Sequence, residues 1–165
     1  MGGHDKIPLI CWDSCIFLAW FKKETDKDLD AIEHYLRQVS DGKLNLLVSA
    51  ISYAEVLDNT STKSTVGSQF RLFVKRPNVV MANVDERVGL LAAEIREATL
   101  LALAAGKISQ GIKIPDALVA ATAVRYKALE IHTYDPVLRE ISGWEVIEGR
   151  RVCTPEESLK TPLGF

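Results

Sequence analysis

The sequence predicts a single α/β domain built on a twisted, mainly parallel sheet of about five strands, with helices on both faces. Short apolar runs of strand length alternate with longer segments whose apolar residues recur every three to four positions. The chain has 165 residues, which favours one domain with a sizeable core. Its residues are 47% hydrophobic and 25% charged, as is typical of a globular protein.

Two strands and four helices are predicted in the first half of the chain. Ile7–Trp12 and Leu44–Ser49 are apolar runs of the length expected for buried strands. Between them, Asp13-Ser14 can start one helix, and the spacing of apolar residues predicts a second helix over Thr25–Val39. Two further helices are predicted on either side of the polar loop Asn59–Ser64, and they cover Ser52–Leu57 and Val66–Val74.

Three strands and three helices are predicted in the second half. Asp85 can cap a long helix from Glu86 to about Ala105, and Pro115 suits the first turn of an apolar helix that runs through Ala128. A short helix is predicted over Pro136–Ser142. The strands are again apolar runs, and they cover Val79–Val84, Glu130–Tyr134 and Trp144–Ile147.

These elements place the domain at residues 7–148. Residues 1–6 are interpreted as an N-terminal extension. Residues 149–165 are interpreted as a C-terminal tail that is irregular or partly helical, because it contains Pro155 and Pro162.

Charge and cysteine content restrict the partners and the compartment. The net charge is −2 and the pI about 5.9, so a polyanion would have to be bound by a local basic patch. Three cysteines are too few for a disulfide framework and indicate a reducing compartment. The apolar runs are too short to span a bilayer and the start lacks the apolar core of a signal peptide, so a cytoplasmic protein with no membrane association is expected.

Several classes of active site are disfavoured by missing motifs. The chain has neither the glycine-rich phosphate loop of nucleotide triphosphatases nor the fingerprint of dinucleotide-binding folds. A Ser–His–Asp triad cannot be assembled, and we interpret His4, His34 and His132 as solvated or structural. A phosphatase that uses Asp13 as phosphate acceptor would need a second aspartate two residues later, where the chain has Cys15.

Four carboxylates are the strongest functional signal in the chain. Each lies where an apolar strand gives way to a helix or just inside the helix that follows: Asp13, Glu55, Asp116 and Asp135. The carboxyl ends of parallel strands meet at one edge of a sheet, so these acids are expected to converge. Because converging carboxylates repel one another, a divalent cation is expected among them, and oxygen ligands without His or Cys select Mg²⁺ or Mn²⁺. Phosphodiester hydrolysis is the reaction class that this chemistry suggests.

Each acid taken alone also has a structural explanation. Asp13 and Asp135 fit helix N-caps, and Asp116 fits the first turn of a helix. Ser52 and Glu55 match a capping box. Ser, Thr or Asn would cap equally well, however, and here all four residues are carboxylates with apolar neighbours and little nearby positive charge. The complete set therefore favours a metal site.

Four segments around these acids resemble the acidic motifs of PIN-domain nucleases, in the same order. They are Ile10–Ser14, Ser52–Leu57, Pro115–Ala123 and Thr133–Asp135, and the closest likeness is to VapC-type toxins of toxin–antitoxin pairs. The resemblance implies a PIN-like fold and an endoribonuclease that depends on Mg²⁺ or Mn²⁺. It covers roughly residues 7–148.

The resemblance also implies roles for individual residues. Asp13 and Asp116 would be the primary metal ligands, Glu55 would help to position water, and Asp135 would bind a second ion or act through water. Ser14 and Thr133 match hydroxyl residues that the family often has beside the first and the last acid. At Cys15 the family commonly has Asn or Ser, and this departure weakens the case for a polar contact from that position but not for the metal site.

Basic residues supply candidate contacts with an RNA backbone. They are Lys22, Lys23, Arg71, Lys75, Arg76, Lys107 and Lys113, of which the last five are our candidate RNA-binding residues. The resemblance implies an antitoxin protein and a second copy of the chain as further partners. Two alternatives stay open: a PIN-type nuclease for RNA maturation without an antitoxin, and a non-catalytic RNA- or protein-binding scaffold of the same fold.

Overall fold

All five strands of the computed structural model run parallel in one sheet, with the order β3-β2-β1-β4-β5. The structure describes residues 6–161; His4, most of the predicted N-terminal extension and the last four residues of the predicted tail lie outside this range. The strands are β1 (Leu9–Trp12), β2 (Asn45–Ser49), β3 (Val79–Ala82), β4 (Glu130–His132) and β5 (Arg151–Cys153). The predicted α/β class with a parallel sheet is confirmed.

Eight α-helices connect or follow the strands in the described part of the chain. They are α1 (Ser14–Lys22), α2 (Leu29–Ser40), α3 (Ala50–Thr60), α4 (Thr65–Phe73), α5 (Glu86–Ala104), α6 (Ile114–Arg125), α7 (Pro136–Arg139) and α8 (Pro155–Lys160). Most match the predicted segments within a few residues at either end.

The direction in which the chain crosses the sheet reverses at β1. The chain proceeds outward from β1 through β2 to β3, then returns to the other side of β1 to form β4 and β5. A crevice therefore opens between the carboxyl ends of β1 and β4, which is where ligands bind in open α/β sheets.

Two hydrophobic cores lie on opposite faces of the sheet, because successive strand residues point to opposite sides. Cys11 and Leu47 face the core formed with α5 and α6. Ile10 and Trp12 face the core formed with α1 to α4, in which Phe17 and Phe70 lie 5.0 Å apart between ring centroids. The sheet is thus covered on both faces, as a parallel sheet requires.

The predicted fifth strand at Trp144–Ile147 is wrong. Glu145–Ile147 forms a turn of 3₁₀ helix, because the chain reverses direction on both sides of it with φ angles of 78° at Gly143, 53° at Glu148 and 71° at Gly149. Burial of Ile147 explains the apolar run without a strand. The actual β5 and the helix α8 follow residue 148, so the sheet extends into the segment that was predicted to be a tail.

The predicted capping box at Ser52 and Glu55 is also wrong. β2 leads directly into α3, and Ser49 caps the helix by accepting a hydrogen bond from the backbone N–H of Ile51 at 3.3 Å. Ser52 is therefore inside the helix, where it is fully buried and its hydroxyl has no partner among the described residues. Glu55 has no capping role and lies in the second turn of the helix.

The aromatic core makes the stability of the domain sensitive to truncation of one ring. We expect Phe70→Ala to lower the free energy of unfolding by about 3–5 kcal/mol, because the ring is fully buried between α1 and α3 residues. Urea denaturation followed by circular dichroism measures the change. Leu72→Ala in the same helix, where the side chain is 68% exposed, should change stability by less than about 0.5 kcal/mol. Equal losses in both variants would contradict this account of the core.

Candidate metal centre

The fold brings all four predicted acids to the carboxyl end of the sheet. Asp13 follows β1 and caps α1, and Asp135 follows β4 and caps α7. Glu55 lies in α3, which leaves the end of β2, and Asp116 lies in the first turn of α6, which packs against α3. The crevice at the reversal of strand order is therefore lined by carboxylates.

The Asp13 side chain is held in one orientation by hydrogen bonds. It is 4% exposed; its Oδ1 accepts the N–H of Ser14 at 2.7 Å and its Oδ2 accepts the hydroxyl of Thr133 at 2.7 Å. The same Thr133 hydroxyl accepts the N–H of Asp135 at 3.0 Å. One fully buried threonine thus fixes the relative positions of two of the acids. Oδ1 of Asp13 accepts this one hydrogen bond from Ser14 and so keeps a lone pair for a further ligand.

Asp116 and Asp135 line one cleft together. Its other walls include Gln110 and Lys113 from the loop before α6, and Val137 from α7. Asp116 and Asp135 are both half-buried, so this cleft gives solvent and ligands access to the acids.

The pKa values of three of the acids are raised by burial and by the charges of the other acids. Burial raises the pKa of Asp116 to about 7, and the charges of Asp13, Asp135 and Glu55 act in the same direction against a smaller opposing effect of Lys113. Burial also raises the pKa of Asp13, although hydrogen bonds from Thr133, Ser14 and Cys15 oppose the shift. The pKa of Glu55 is raised by burial and by Asp13, against a hydrogen bond with the Ser14 side chain.

No basic side chain of residues 6–161 neutralises this cluster through a salt bridge. The ion pairs formed by Lys, Arg and His in that range all involve other acids. Lys113 is exposed and influences Asp116 without pairing with it. A group of carboxylates with this little counter-charge fits a hard divalent cation that binds through oxygen.

Cys15 makes more polar contact than the sequence suggested. Its Sγ lies 3.4 Å from Oδ2 of Asp13 and 3.4 Å from the Thr133 hydroxyl, and it accepts the N–H of Tyr134 at 3.2 Å. Burial raises the pKa of the thiol to about 12, so the thiol stays protonated at neutral pH and can donate to Asp13. Position 15 thus supports Asp13 despite the departure from the family pattern.

A second group of potential metal ligands lies in the sheet beneath the acids. Glu130, His132 and Cys153 are buried, with ligand atoms within 4.8 Å of one another. His132 Nδ1, however, accepts the indole N–H of Trp12 at 3.1 Å, so its proton must be on Nε2, which lies 2.9 Å from Glu130. The ring has no free lone pair for a metal, and Arg151 supplies a positive charge to Glu130 at 3.0 Å. We therefore interpret this group as a structural network, which the alternation of Glu130 and His132 on one face of a buried strand could have indicated.

The predicted RNA-binding residues divide between two ends of the molecule. Lys107 and Lys113 lie in the loop between α5 and α6, and Lys113 lines the cleft with Asp116. The other three residues, Arg71, Lys75 and Arg76, lie at the end of α4 or just after it, close to where β3 begins. The length of β3, about 13 Å, separates this amino end of the strand from the carboxyl end where the acids lie. The structure therefore does not bring these three residues to the acids.

Comparisons with known proteins agree with this geometry. The family model described as PIN domain matches residues 10–143. No curated protein sequence matches the chain. Similar solved structures include VapBC2 from Rickettsia felis bound to a promoter DNA fragment (TM-score 0.60, 16% identity, covering 87% of this chain and 96% of that one). A toxin–antitoxin complex from Klebsiella pneumoniae (0.61, 17%, 88% and 97%) and DNA-bound VapBC from Salmonella typhimurium (0.56, 16%, 88% and 96%) are also similar. At these identities the likeness shows the fold.

No helix within residues 6–161 is long and apolar enough to cross a membrane.

The raised pKa of Asp116 predicts a pH-dependent stability. An unfolded chain titrates this group near its ordinary pKa of 3.8, so the folded, metal-free protein loses stability as pH rises from about 4 through 7. We expect Asp116→Asn to be more stable than the wild type at pH 8 by about 1–2 kcal/mol, because it removes a charge that burial and the other acids disfavour, in part screened by solvent at this half-buried site. The advantage should disappear below about pH 4, where both proteins carry a neutral side chain.

Urea denaturation in the presence of EDTA measures this difference across the pH range. Asp58→Asn, an exposed position of α3, serves as the control and should give no pH-dependent advantage. A stabilisation by Asp116→Asn that is the same at every pH would contradict the raised pKa of Asp116.

Proposed function

Because the PIN domain model matches four fifths of the sequence, the chain belongs to the PIN domain family, and from this premise we propose that it is a metal-dependent endoribonuclease. The observation that carries the proposal is the convergence of four carboxylates at the reversal of strand order, with no salt-bridge partner among residues 6–161. We further propose that it is the toxin of a toxin–antitoxin pair.

Mg²⁺ or Mn²⁺ would be held by Asp13 and Asp116, with Glu55 and Asp135 completing the site. Such an ion, when bound, stabilises negative charge on a phosphodiester and lowers the pKa of water. Asp13 contributes a preorganised carboxylate, because Thr133, Ser14 and Cys15 hold it before any ligand arrives. Preorganised ligands bind more tightly, since no orientation has to be fixed on binding.

Glu55 is suited to act on the attacking water. It is half-buried at the rim of the cluster, and its pKa is raised by burial and by Asp13, which makes its carboxylate a better proton acceptor than an exposed glutamate. Asp135 is held in place through Thr133 and the N-terminus of α7.

RNA would approach along the cleft that contains Lys113. The ammonium group of Lys113 can neutralise a backbone phosphate next to the acids, and Lys107 in the same loop is a second candidate contact. Arg71, Lys75 and Arg76 would have to meet a different part of the RNA, because they lie near the opposite edge of the sheet.

The toxin assignment is supported by the neighbours, of which one is described as a toxin–antitoxin complex and two as DNA-bound VapBC proteins. An antitoxin protein and a second copy of the chain are the partners that we propose on this basis. A short partner gene beside the coding sequence would favour the toxin over an RNA-maturation nuclease.

Removal of a single ligand should abolish cleavage. We expect Asp13→Asn and Asp116→Asn each to lower the rate of Mg²⁺-dependent RNA cleavage more than about 100-fold, because each removes a charged ligand of an ion worth several kcal/mol to the transition state. Gel analysis of a labelled RNA pool, with and without EDTA, measures the rate. Asp58→Asn should cleave as the wild type does.

Equal cleavage by the wild type and both ligand variants would remove the proposal. A wild type that gives no heat on titration with millimolar Mn²⁺ would favour the non-catalytic scaffold instead.

The two groups of basic residues should differ in their effect on RNA binding. In an Asp13→Asn background, which prevents cleavage, we expect Lys113→Gln to weaken binding of a short single-stranded RNA and to lower the salt slope by about 0.7, the loss of one phosphate contact. Arg76→Gln should leave both quantities unchanged for an RNA that fits the cleft. Fluorescence anisotropy at several salt concentrations measures both quantities. Weaker binding by Arg76→Gln, with no change for Lys113→Gln, would contradict the proposal and indicate that the RNA binds near the amino end of β3.

A further inference from the structure

A continuous line of buried and half-buried hydrogen bonds runs from α2 to Trp12, the residue before Asp13. The Tyr35 hydroxyl donates to Ser158 Oγ at 2.6 Å, and Ser158 donates to Glu130 Oε2 at 2.5 Å. Glu130 Oε2 also lies 2.9 Å from His132 Nε2, and His132 Nδ1 is 3.1 Å from Trp12 Nε1. The rings of Trp12 and His132 are fully buried, so water cannot replace these bonds.

The chemistry of the groups leaves one arrangement of protons. An indole N–H can only donate, so His132 Nδ1 accepts and Nε2 carries the proton toward Glu130. Burial lowers the pKa of His132 against the opposing effect of Glu130, in keeping with a neutral ring. Each ring nitrogen therefore has a single role, and the ring has a single orientation.

The bond between Trp12 and His132 lies where β1 and β4 end. These two residues are the last register pair between the strands, after Ile10 with Glu130 and Cys11 with Ile131. Beyond them the backbone N–H of Asp13 still reaches the carbonyl of His132 at 3.0 Å, and the chains then leave for α1 and α7. Strand ends are where backbone pairing opens first, so a side-chain bond here holds the strands together.

The next residue on each strand belongs to the acid cluster. Asp13 follows Trp12, and Thr133 follows His132. The 2.7 Å hydrogen bond from the Thr133 hydroxyl to Asp13 orients the Asp13 carboxylate. Any change in the alignment of Trp12 with His132 is therefore passed directly to this bond. Tyr35 and Ser158, at the other end of the line, contact neither Asp13 nor Thr133 through the described hydrogen bonds.

We propose that His132 and Trp12 are positioning residues, whose side-chain hydrogen bond fixes Asp13 against Thr133 and thereby sets the affinity of the acid cluster for a divalent ion. The inference rests on the proposed function, because it takes Asp13 as a metal ligand. Groups that orient metal ligands have this effect in other metal sites, where their loss typically weakens binding roughly 10- to 100-fold.

Two substitutions of His132 each keep one of its two side-chain hydrogen bonds and remove the other. Gln can place an amide near the position of Nε2 and contact Glu130, but it leaves the Trp12 N–H without an acceptor. Asn can place its oxygen near the position of Nδ1 and accept from Trp12, but it does not reach Glu130. We expect His132→Gln to raise the dissociation constant for Mn²⁺ about 10- to 100-fold, and His132→Asn to recover most of the affinity.

Isothermal titration of the full chain with Mn²⁺ gives the dissociation constants, and thermal unfolding of each variant gives its Tm. Tyr35→Phe is the control, because it removes the outer bond of the same line; it should lower the Tm and leave the Mn²⁺ affinity unchanged. Trp12→Phe removes the donor of the bond between Trp12 and His132, on β1, and should weaken Mn²⁺ binding as His132→Gln does. This variant provides the test if His132→Gln does not fold.

The outcomes distinguish this inference from the proposed function. A wild type that does not bind Mn²⁺ overturns the proposed function and the inference with it. A wild type that binds Mn²⁺ while His132→Gln and Trp12→Phe bind it equally well overturns the inference alone. The inference is also overturned if the Mn²⁺ affinity falls in step with the Tm in every variant, Tyr35→Phe included. The line of hydrogen bonds would then have only a structural role.

Discussion

Mutual repulsion among four carboxylates is the constraint that the rest of the site has to meet. Among residues 6–161 no salt bridge relieves it, so the acids are held together by the scaffold that carries them. Three of them are fixed at strand ends or in the first turn of a helix, and Thr133 ties Asp13 to the backbone of Asp135. Burial raises the pKa of Asp116 to about 7, and the charges of the other three acids add to the rise. A bound divalent cation would relieve this repulsion, and the free energy released would contribute to the affinity for the ion.

The features that depend on local pattern could be predicted from the sequence. Alternation of apolar strands and periodic helices gave the parallel sheet and its two covered faces. The four acids could be chosen because their positions at strand ends follow from the order of elements alone, and a parallel sheet brings such positions to one edge. Asp13 and Asp135 do cap helices, so the structural explanation is confirmed for these residues, while their role as metal ligands stays a prediction.

The features that depend on tertiary contacts could not be predicted. β5 has three residues, of which Arg151 pairs with Glu130, and nothing in its own composition marks it as a strand; pairing with β4 makes it one. Ser52 and Glu55 match a capping box, yet Ser49 caps the helix because α3 begins where β2 ends. His132 has one partner 120 positions away, Trp12, and Glu130 has one 28 positions away, Ser158. No local pattern in the sequence indicates either of these two bonds.

The bond between Asp13 and Thr133 joins residues that are 120 positions apart, and this has a consequence during translation. The amino-terminal part of a chain leaves the ribosome first, so β1, β2 and β3 can associate while β4 is still being synthesised. Until β4 emerges and pairs with β1, Asp13 has no Thr133 to orient it and Asp135 is absent from the crevice. A nascent chain would therefore lack a complete acid cluster for most of its synthesis, and any metal ion that needs all four acids could bind only after β4 has paired with β1.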